Sequence, residues 1–151
     1  IYLDKLGTNE IQHIRVASEE LSDKFLVPKT PSLSISARQG QLHYLPFVLT
    51  DTGEINGVIE YREDGAELLP LANVRLQILN EAGIVFQETT SLSDGYYSFD
   101  KVFAGHWTIR LHPKQIDSLK ALSMSAKTIQ LTKQQNILSN VNLLIENKIL
   151  K

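Results

Sequence analysis

The stretch Asn73-Val74-Arg75-Leu76-Gln77-Ile78-Leu79-Asn80-Glu81-Ala82-Gly83-Ile84-Val85-Phe86 decides the fold class. Its first half alternates with a period of two: Val74, Leu76 and Ile78 fall on one face, Arg75 and Gln77 on the other. Successive strand side chains point to opposite sides of a sheet, so the pattern predicts a strand with one face in a core and one in water. Asn80-Glu81-Ala82-Gly83 then offers a glycine able to take positive φ, and Ile84-Val85-Phe86 resumes the strand signal. Strand, glycine turn and strand together read as a hairpin.

The same period recurs on both sides. Trp107, Ile109 and Leu111 alternate with His106, Thr108, Arg110 and His112. Ile55-Asn56-Gly57-Val58-Ile59-Glu60-Tyr61 reads as a strand in which Gly57 marks a bulge or a close backbone approach. In Tyr96-Tyr97-Ser98-Phe99, alternation sends Tyr97 and Phe99 to one face and Tyr96 to the other. Ser93-Asp94-Gly95 and Ala104-Gly105 are turn signals. Helical periodicity is confined to residues 18–25 and 114–122, short enough to be connections. Short strands at this spacing predict an all-β sandwich or barrel, with Val74, Leu76, Ile78, Phe99, Trp107 and Ile109 in its core.

Composition sets outer bounds. The 151 residues suit one domain plus a substantial extra segment, and 42% hydrophobic with 21% charged residues is ordinary for a globular core. A net charge of −2 with both signs scattered gives no footprint for nucleic acid. The absence of cysteine excludes disulfides, thiolate nucleophiles and cysteine-held metals. No apolar run reaches the roughly 20 residues of a membrane-spanning helix. The strand-like opening Ile1-Tyr2-Leu3 suggests a piece of a longer chain, and Val27-Pro28-Lys29-Thr30-Pro31 reads as an extended connector between modules.

An internal echo suggests repetition. A shift of 96 residues pairs Leu33 with Ile129, Ile35 with Leu131, Leu42 with Leu138, Leu45 with Val141, Phe47 with Leu143 and Leu49 with Ile145. Ile1-Tyr2-Leu3-Asp4 likewise resembles Ile109-Arg110-Leu111-His112. Two readings stand: the tail of one module followed by a complete one, or two alternating segments that happen to slide into register.

Candidate chemistry is sparse. His106 and His112 share a strand face but lie about 20 Å apart at the usual rise, and His13 and His43 have no evident partner. No serine sits in a nucleophile-elbow context. The carboxylate pairs Glu19-Glu20 and Glu63-Asp64 are adjacent residues that point in different directions. The expectation is therefore no catalytic residue, no metal site and no cofactor. Tyr96, Tyr44 and Tyr61 are the candidate contacts for a carbohydrate or protein ligand, as exposed aromatics of the kind that serve recognition.

The succession Gly53-Glu54-Ile55-Asn56-Gly57-Val58, Leu71-Ala72-Asn73-Val74-Arg75-Leu76-Gln77-Ile78, Thr90-Ser91-Leu92-Ser93-Asp94-Gly95-Tyr96-Tyr97-Ser98-Phe99 and Val102-Phe103-Ala104-Gly105-His106-Trp107-Thr108-Ile109 resembles the carboxypeptidase regulatory-like domain. That domain is related to the Cna B-type and SdrD B-type repeats of bacterial surface proteins. The resemblance runs over about residues 53–145. It implies a Greek-key, transthyretin-like sandwich of seven strands, with the Ser91–Gly95 turn closing a hairpin. More loosely, residues 32–49 resemble the lead-in to such modules in proteobacterial outer-membrane proteins, including usher-like pilus assembly proteins. Two departures matter. The lysine of an isopeptide staple would fall near Tyr61 or Arg62, and its promoting glutamate where Arg110 and Leu111 stand, so no isopeptide bond is expected. Of the acidic loops that bind calcium in some repeats, only Asp94, Asp51 and Glu54 are candidates, and they are loosely placed.

The expected organisation is a β-rich lead-in over residues 1–52, the sandwich over 53–146 and a tail over 147–151. The expected role is a non-enzymatic structural or spacer module of an extracytoplasmic bacterial surface or pilus-assembly protein. Its partners would be neighbouring domains of the same polypeptide. The alternatives are an adhesive module for glycan or surface protein, and an accessory domain of a larger enzyme.

Overall fold

The computed structural model describes residues 9–63, 66–118, 122–123 and 126–147. The chain divides into two compact units, Ile1–Asp51 and Thr52–Lys151. The strand read at Ile1-Tyr2-Leu3 and the carboxylate of Asp64 lie outside the described residues.

In the first unit, β1 (Ile11–Ile14) and β3 (Leu33–Ser36) form an antiparallel pair, Ile11 opposite Ser36 and Ile14 opposite Leu33. Between them the sequence gives only a 3₁₀ turn at Ser18–Glu20 and the short strand β2 (Leu26–Pro28). The helix signal over 18–25 is cut short: Leu21 is already extended, and the Asp23 carboxylate accepts the Phe25 amide in a local turn that competes with helix. The proline-marked connector is not wholly a connector. Its first residues pair antiparallel with the start of β4 (Leu49–Glu63), with Val27 opposite Thr50 and Pro28 opposite Leu49. Pro28 stands at the strand's end, where its missing N–H costs no ladder bond.

The second unit is an all-β sandwich. Beyond β4 and the two-residue β5 (Leu69–Pro70) come β6 (Arg75–Leu79), β7 (Val85–Thr90), β8 (Tyr96–Phe103) and β9 (Gly105–Leu111). A one-and-a-half-turn helix α1 (Pro113–Ser118) precedes β10 (Leu122–Ser123), β11 (Lys127–Leu131), β12 (Ile137–Leu138) and β13 (Leu143–Asn147). One sheet has the order β11-β9-β6-β7. In the other, β4 lies between β8 on one side and β12 and β13 on the other, with β10 beyond β13. Seven of the second unit's described strands have five residues or more (β4, β6, β7, β8, β9, β11 and β13).

Both sheets fill one core. Ile55 and Ile59 of β4, Tyr97, Phe99 and Val102 of β8, and Leu143 and Ile145 of β13 meet Leu76, Ile78, Trp107, Ile109, Leu111 and Leu131 of the opposite sheet. From Gly53 to Tyr61 the odd-numbered residues of β4 face inward and the even-numbered ones outward, the period-two division that alternation imposes.

The hairpin read at Asn80–Gly83 joins β6 and β7: Gly83 has φ +76°, its amide donates to the Asn80 carbonyl, and the Asn80 side chain accepts the Ile84 amide. Ser91–Gly95 differs from expectation. It closes no hairpin, because β7 pairs with β6 while β8 pairs with β4, so the turn carries the chain from one sheet to the other. Ser91 is the reason it can cross. Its amide donates to the Val74 carbonyl and its own carbonyl accepts the Asn73 amide. Its buried hydroxyl accepts the Val74 amide at 3.0 Å and donates to the Leu71 carbonyl at 2.7 Å. Backbone groups that leave one ladder before joining another are thereby satisfied.

The internal echo holds only in part. β3 and β11 both form strands at equivalent positions. Residues 41–48 form no strand, and Leu42 is 86% exposed, whereas its counterpart Leu138 packs against the core.

Candidate functional site

The first surface of interest is the outer face of the β11-β9-β6-β7 sheet, where one polar relay crosses three strands. The Gln77 amide oxygen accepts both Nε and Nη2 of Arg110, at 3.0 and 2.9 Å. Its amide nitrogen donates to Glu88 Oε1 at 2.6 Å, so the two neighbours fix which way the amide points. Arg75 Nη2 lies 3.2 Å from Glu88 Oε2, and His112 Nε2 is 3.6 Å from Glu88 Oε1. The relay holds the Glu88 carboxyl below its usual range, chiefly through the Gln77 hydrogen bond, with His112 and Arg75 adding to it against partial desolvation.

A pH dependence follows. A carboxylate whose folded pKa is lowered contributes stability that is present above its unfolded pKa and lost as pH falls through the folded one. Glu88→Gln is therefore expected to lower the melting temperature at neutral pH. The gap from wild type should close on acidification below the ordinary carboxylate range. Thermal melts of both proteins across acid pH check this, and a gap that persists unchanged at the lowest pH contradicts it.

Three of the four histidines have local partners, His112 among them through Glu88 and the Lys114 amide. His106 Nδ1 meets Glu81 Oε1 at 2.8 Å, and His13 Nδ1 meets Ser34 Oγ at 2.9 Å across the β1–β3 pair. Among the described residues, no three His, Asp or Glu side chains gather into a metal-binding group. Of the acidic candidates, Asp94 accepts the Tyr96 amide in its turn and Glu54 accepts the Asn56 side chain. β4 carries no lysine. Arg62 instead forms an ion pair with Glu146 of β13, on the outer face of the sheet.

Of the three candidate tyrosines, one belongs to the first unit and two to the second. Tyr44 is 89% exposed in the first unit. Tyr96 is half-buried opposite Val58, on the outer face of the β8–β4 pair. Tyr61, read as exposed, is half-buried and packs against the core. The physical reason is its register: it follows Ile59 on the inward face, with Leu69 opposite it on one side and Ile145 on the other. Tyr96 and Tyr61 therefore lie on opposite faces of one sheet and form no common patch.

Val74, Leu76, Ile78, Phe99 and Ile109 are fully or almost fully buried, and Trp107 is 6% exposed. The Phe86 ring lies 4.9 Å from Trp107 and 5.7 Å from Phe103, and Tyr97 meets Phe99 edge-on at 5.8 Å. The buried Tyr97 hydroxyl donates to the Val141 carbonyl, and burial raises its pKa above the usual phenol range.

The sequence reading passed over the path of the chain from residue 136 to 142. This segment runs beside β4, with the Asn136 carbonyl accepting the Glu54 amide and the Val141 amide donating to the Asn56 carbonyl. The Asn142 side chain accepts the Val58 amide at 3.1 Å. Gly53 and Gly57 make room for it. A Cβ on Gly53 would stand 1.9 Å from the Asn136 oxygen, and one on Gly57 would stand 2.3 Å from the Val141 oxygen. Two glycines four apart in one strand were the available signal. The irregularity in pairing with β8 falls between Gly53 and Ile55, so Gly57 marks a close backbone approach and not a bulge.

No family model matches the chain, and no curated protein matches it. Its likenesses are to solved structures. The minor pilin GBS52 of the gram-positive pathogen Streptococcus agalactiae aligns with a TM-score of 0.52 at 9% identity over 95% of this chain. BcpA, the major pilin subunit of Bacillus cereus, aligns with a TM-score of 0.50 at 9% identity over 68% of it. The alignments span 62% and 32% of those two chains. At such identity the likeness defines the fold class: a β-sandwich of the kind found in pilin domains.

Proposed function

We propose that this chain is a non-catalytic structural module of an extracytoplasmic bacterial surface protein, a folded spacer that positions its neighbours in the same polypeptide. The observation that carries the reading is how the polar groups of the sandwich are used. Its interior is filled by apolar side chains from both sheets. On its faces polar and charged groups close on one another, as in Arg62 with Glu146, Arg75 with Glu88 and His106 with Glu81. Catalysis needs acids, bases or nucleophiles that converge on a substrate, and these pairs converge on each other. The sandwich likeness to pilin subunits supports a surface location and a load-bearing or spacing role. Pilus assembly at an outer membrane is the narrower form of the proposal, supported only by the resemblance of residues 32–49.

The test is binding of the whole chain to arrays of glycans and matrix proteins, with a Tyr96→Ala control. Silence across the arrays from a folded protein is the expected result. A saturable hit abolished by Tyr96→Ala would replace the spacer with an adhesive module and identify the outer face of β8 as its contact.

A further inference from the structure

The two strands through which the chain enters and leaves the sandwich are hydrogen-bonded neighbours, and they run parallel. β4 enters at Thr52; β13 leaves at Asn147, which stands opposite Glu63 at the far end of β4. β12 pairs in the same direction nearer the entry, with Ile137 opposite Glu54 and Leu138 opposite Ile55. Entry and exit therefore lie at opposite ends of one ladder. Tension along the polypeptide draws β4 one way and β13 the other, along their shared axis. Every bond between them is then loaded at once, across its length. Were the pair antiparallel, entry and exit would share an end, and the same tension would part the bonds one at a time.

We infer that the β4–β13 pair is a mechanical clamp, loaded in shear, that lets the sandwich transmit tension without opening. The inference deepens the spacer reading by naming the kind of load the spacer resists, and it rests on that reading for its biological use. The local chemistry fits the role. Five register pairs join β4 to β13 and two join it to β12. The Glu54 amide is held by the Asn136 carbonyl at the start of β12, and between the two pairings stand the Asn56–Val141 backbone bond and the Asn142 side chain on the Val58 amide. The Arg62–Glu146 pair crosses the same two strands near the exit, and Tyr97 holds Val141 from the core side. The glycine notches at 53 and 57 add an obstacle that is not a hydrogen bond. The backbone of 136–141 sits against bare Cα atoms, so sliding along β4 drives it into the side chains of neighbouring residues.

Single-molecule force spectroscopy on the whole chain tests this. The protein has no cysteine, so two introduced ones define the pulling points. Asp51→Cys with Asn147→Cys loads the ladder in shear, and Glu63→Cys with Asn147→Cys, a directly opposed pair, loads it as a zipper. The mean unfolding force at one pulling speed is expected to be at least about twofold higher in the first geometry, where several ladder bonds share the load instead of one. Equal forces, or a weaker shear geometry, overturn the clamp. Should either double variant fail to fold, the unsubstituted chain held by terminal handles supplies the second measurement. Opening of the second unit, identified by its contour length, should occur at the higher force of its two units, and opening at the lower force counts against the clamp. The outcomes separate cleanly: equal forces with silent arrays would sink the clamp alone, and an array hit with unequal forces would sink the spacer alone.

Discussion

Trp107→Ala should cost about 3–5 kcal/mol of folding stability, the usual range for emptying a buried large aromatic site. The expectation rests on three features. The indole is 6% exposed within the core cluster. Its ring packs 4.9 Å from Phe86, which carries the aromatic contact across to β7. Its Nε1 donates to the Phe103 carbonyl at 2.8 Å, closing the turn by which the chain leaves β8 and changes sheet into β9. Alanine removes the packing and the donor together. Domain stabilities run about 5–15 kcal/mol, so the loss takes a large share of the total. Urea titration followed by far-UV circular dichroism checks it. Trp107→Phe separates the contributions, since it keeps a ring and loses the hydrogen bond, and should fall between wild type and alanine. An alanine variant that melts with the wild type would remove Trp107 from the core.

How far the fold could be read beforehand depended on the range of the interaction. The alternation of Val74, Leu76 and Ile78, or of Trp107, Ile109 and Leu111, is local; burial follows it along β9, whereas on β6 the outward Gln77, held between Arg110 and Glu88, is buried as well. The Asn80–Gly83 turn is equally local. What the chain does not announce is which sheet a strand joins. Ser91–Gly95 has the composition of a hairpin turn, but the Ser91 hydroxyl, bound to Val74 and Leu71 some twenty residues upstream, makes it a crossing. The return of β12 and β13 beside β4 joins residues 84 apart at Ile59 and Leu143, and no local pattern encodes such a pairing. Residues 41–48 show the reverse error. They alternate as a strand does and form none, with the Val48 carbonyl accepting the Lys29 amide beside the β2–β4 pair, because alternation records a capacity for pairing and not the presence of a neighbour.

The candidate ligand residues divide along the same line. Period two sends Tyr96 outward and Tyr97 inward, and the described chain has them so. It also places Tyr61 on the row of Ile59, which the reading of it as an exposed contact overlooked. The polar relay of Arg110, Gln77, Glu88 and Arg75 was half visible, as an outward row on β6 and another on β9. Their meeting needed the knowledge that these strands are neighbours.

Gly57→Ala discriminates between two physical accounts by the sign of its effect. Gly57 sits inside a strand and is not among the positive-φ glycines, so its backbone is open to alanine. On backbone grounds alone, alanine should stabilise the protein by about 0.4–1 kcal/mol, since it narrows the unfolded ensemble. The structure opposes this. The new Cβ would stand 2.3 Å from the Val141 oxygen and 2.6 Å from its carbonyl carbon, both backbone atoms of a segment held by the Asn56 carbonyl, the Tyr97 hydroxyl and the Val58–Asn142 contact. A flexible side chain could swing away, but a tethered backbone must move as a unit. The expected result is destabilisation by about 1–3 kcal/mol or more, as overpacking commonly costs, with faster hydrogen exchange at the Val58 and Val141 amides as the return strand lifts from β4. Gly83→Ala is the contrasting control: nothing stands within 4 Å of its added Cβ, but its φ of +76° imposes a penalty of about 1–2 kcal/mol from conformation alone. Its amide-exchange effect should stay within the β6–β7 hairpin and leave Val141 untouched. If Gly57→Ala proves neutral or stabilising, the close approach of residues 136–141 is wrong, and the obstacle that the glycine notches add to the shear-loaded ladder goes with it.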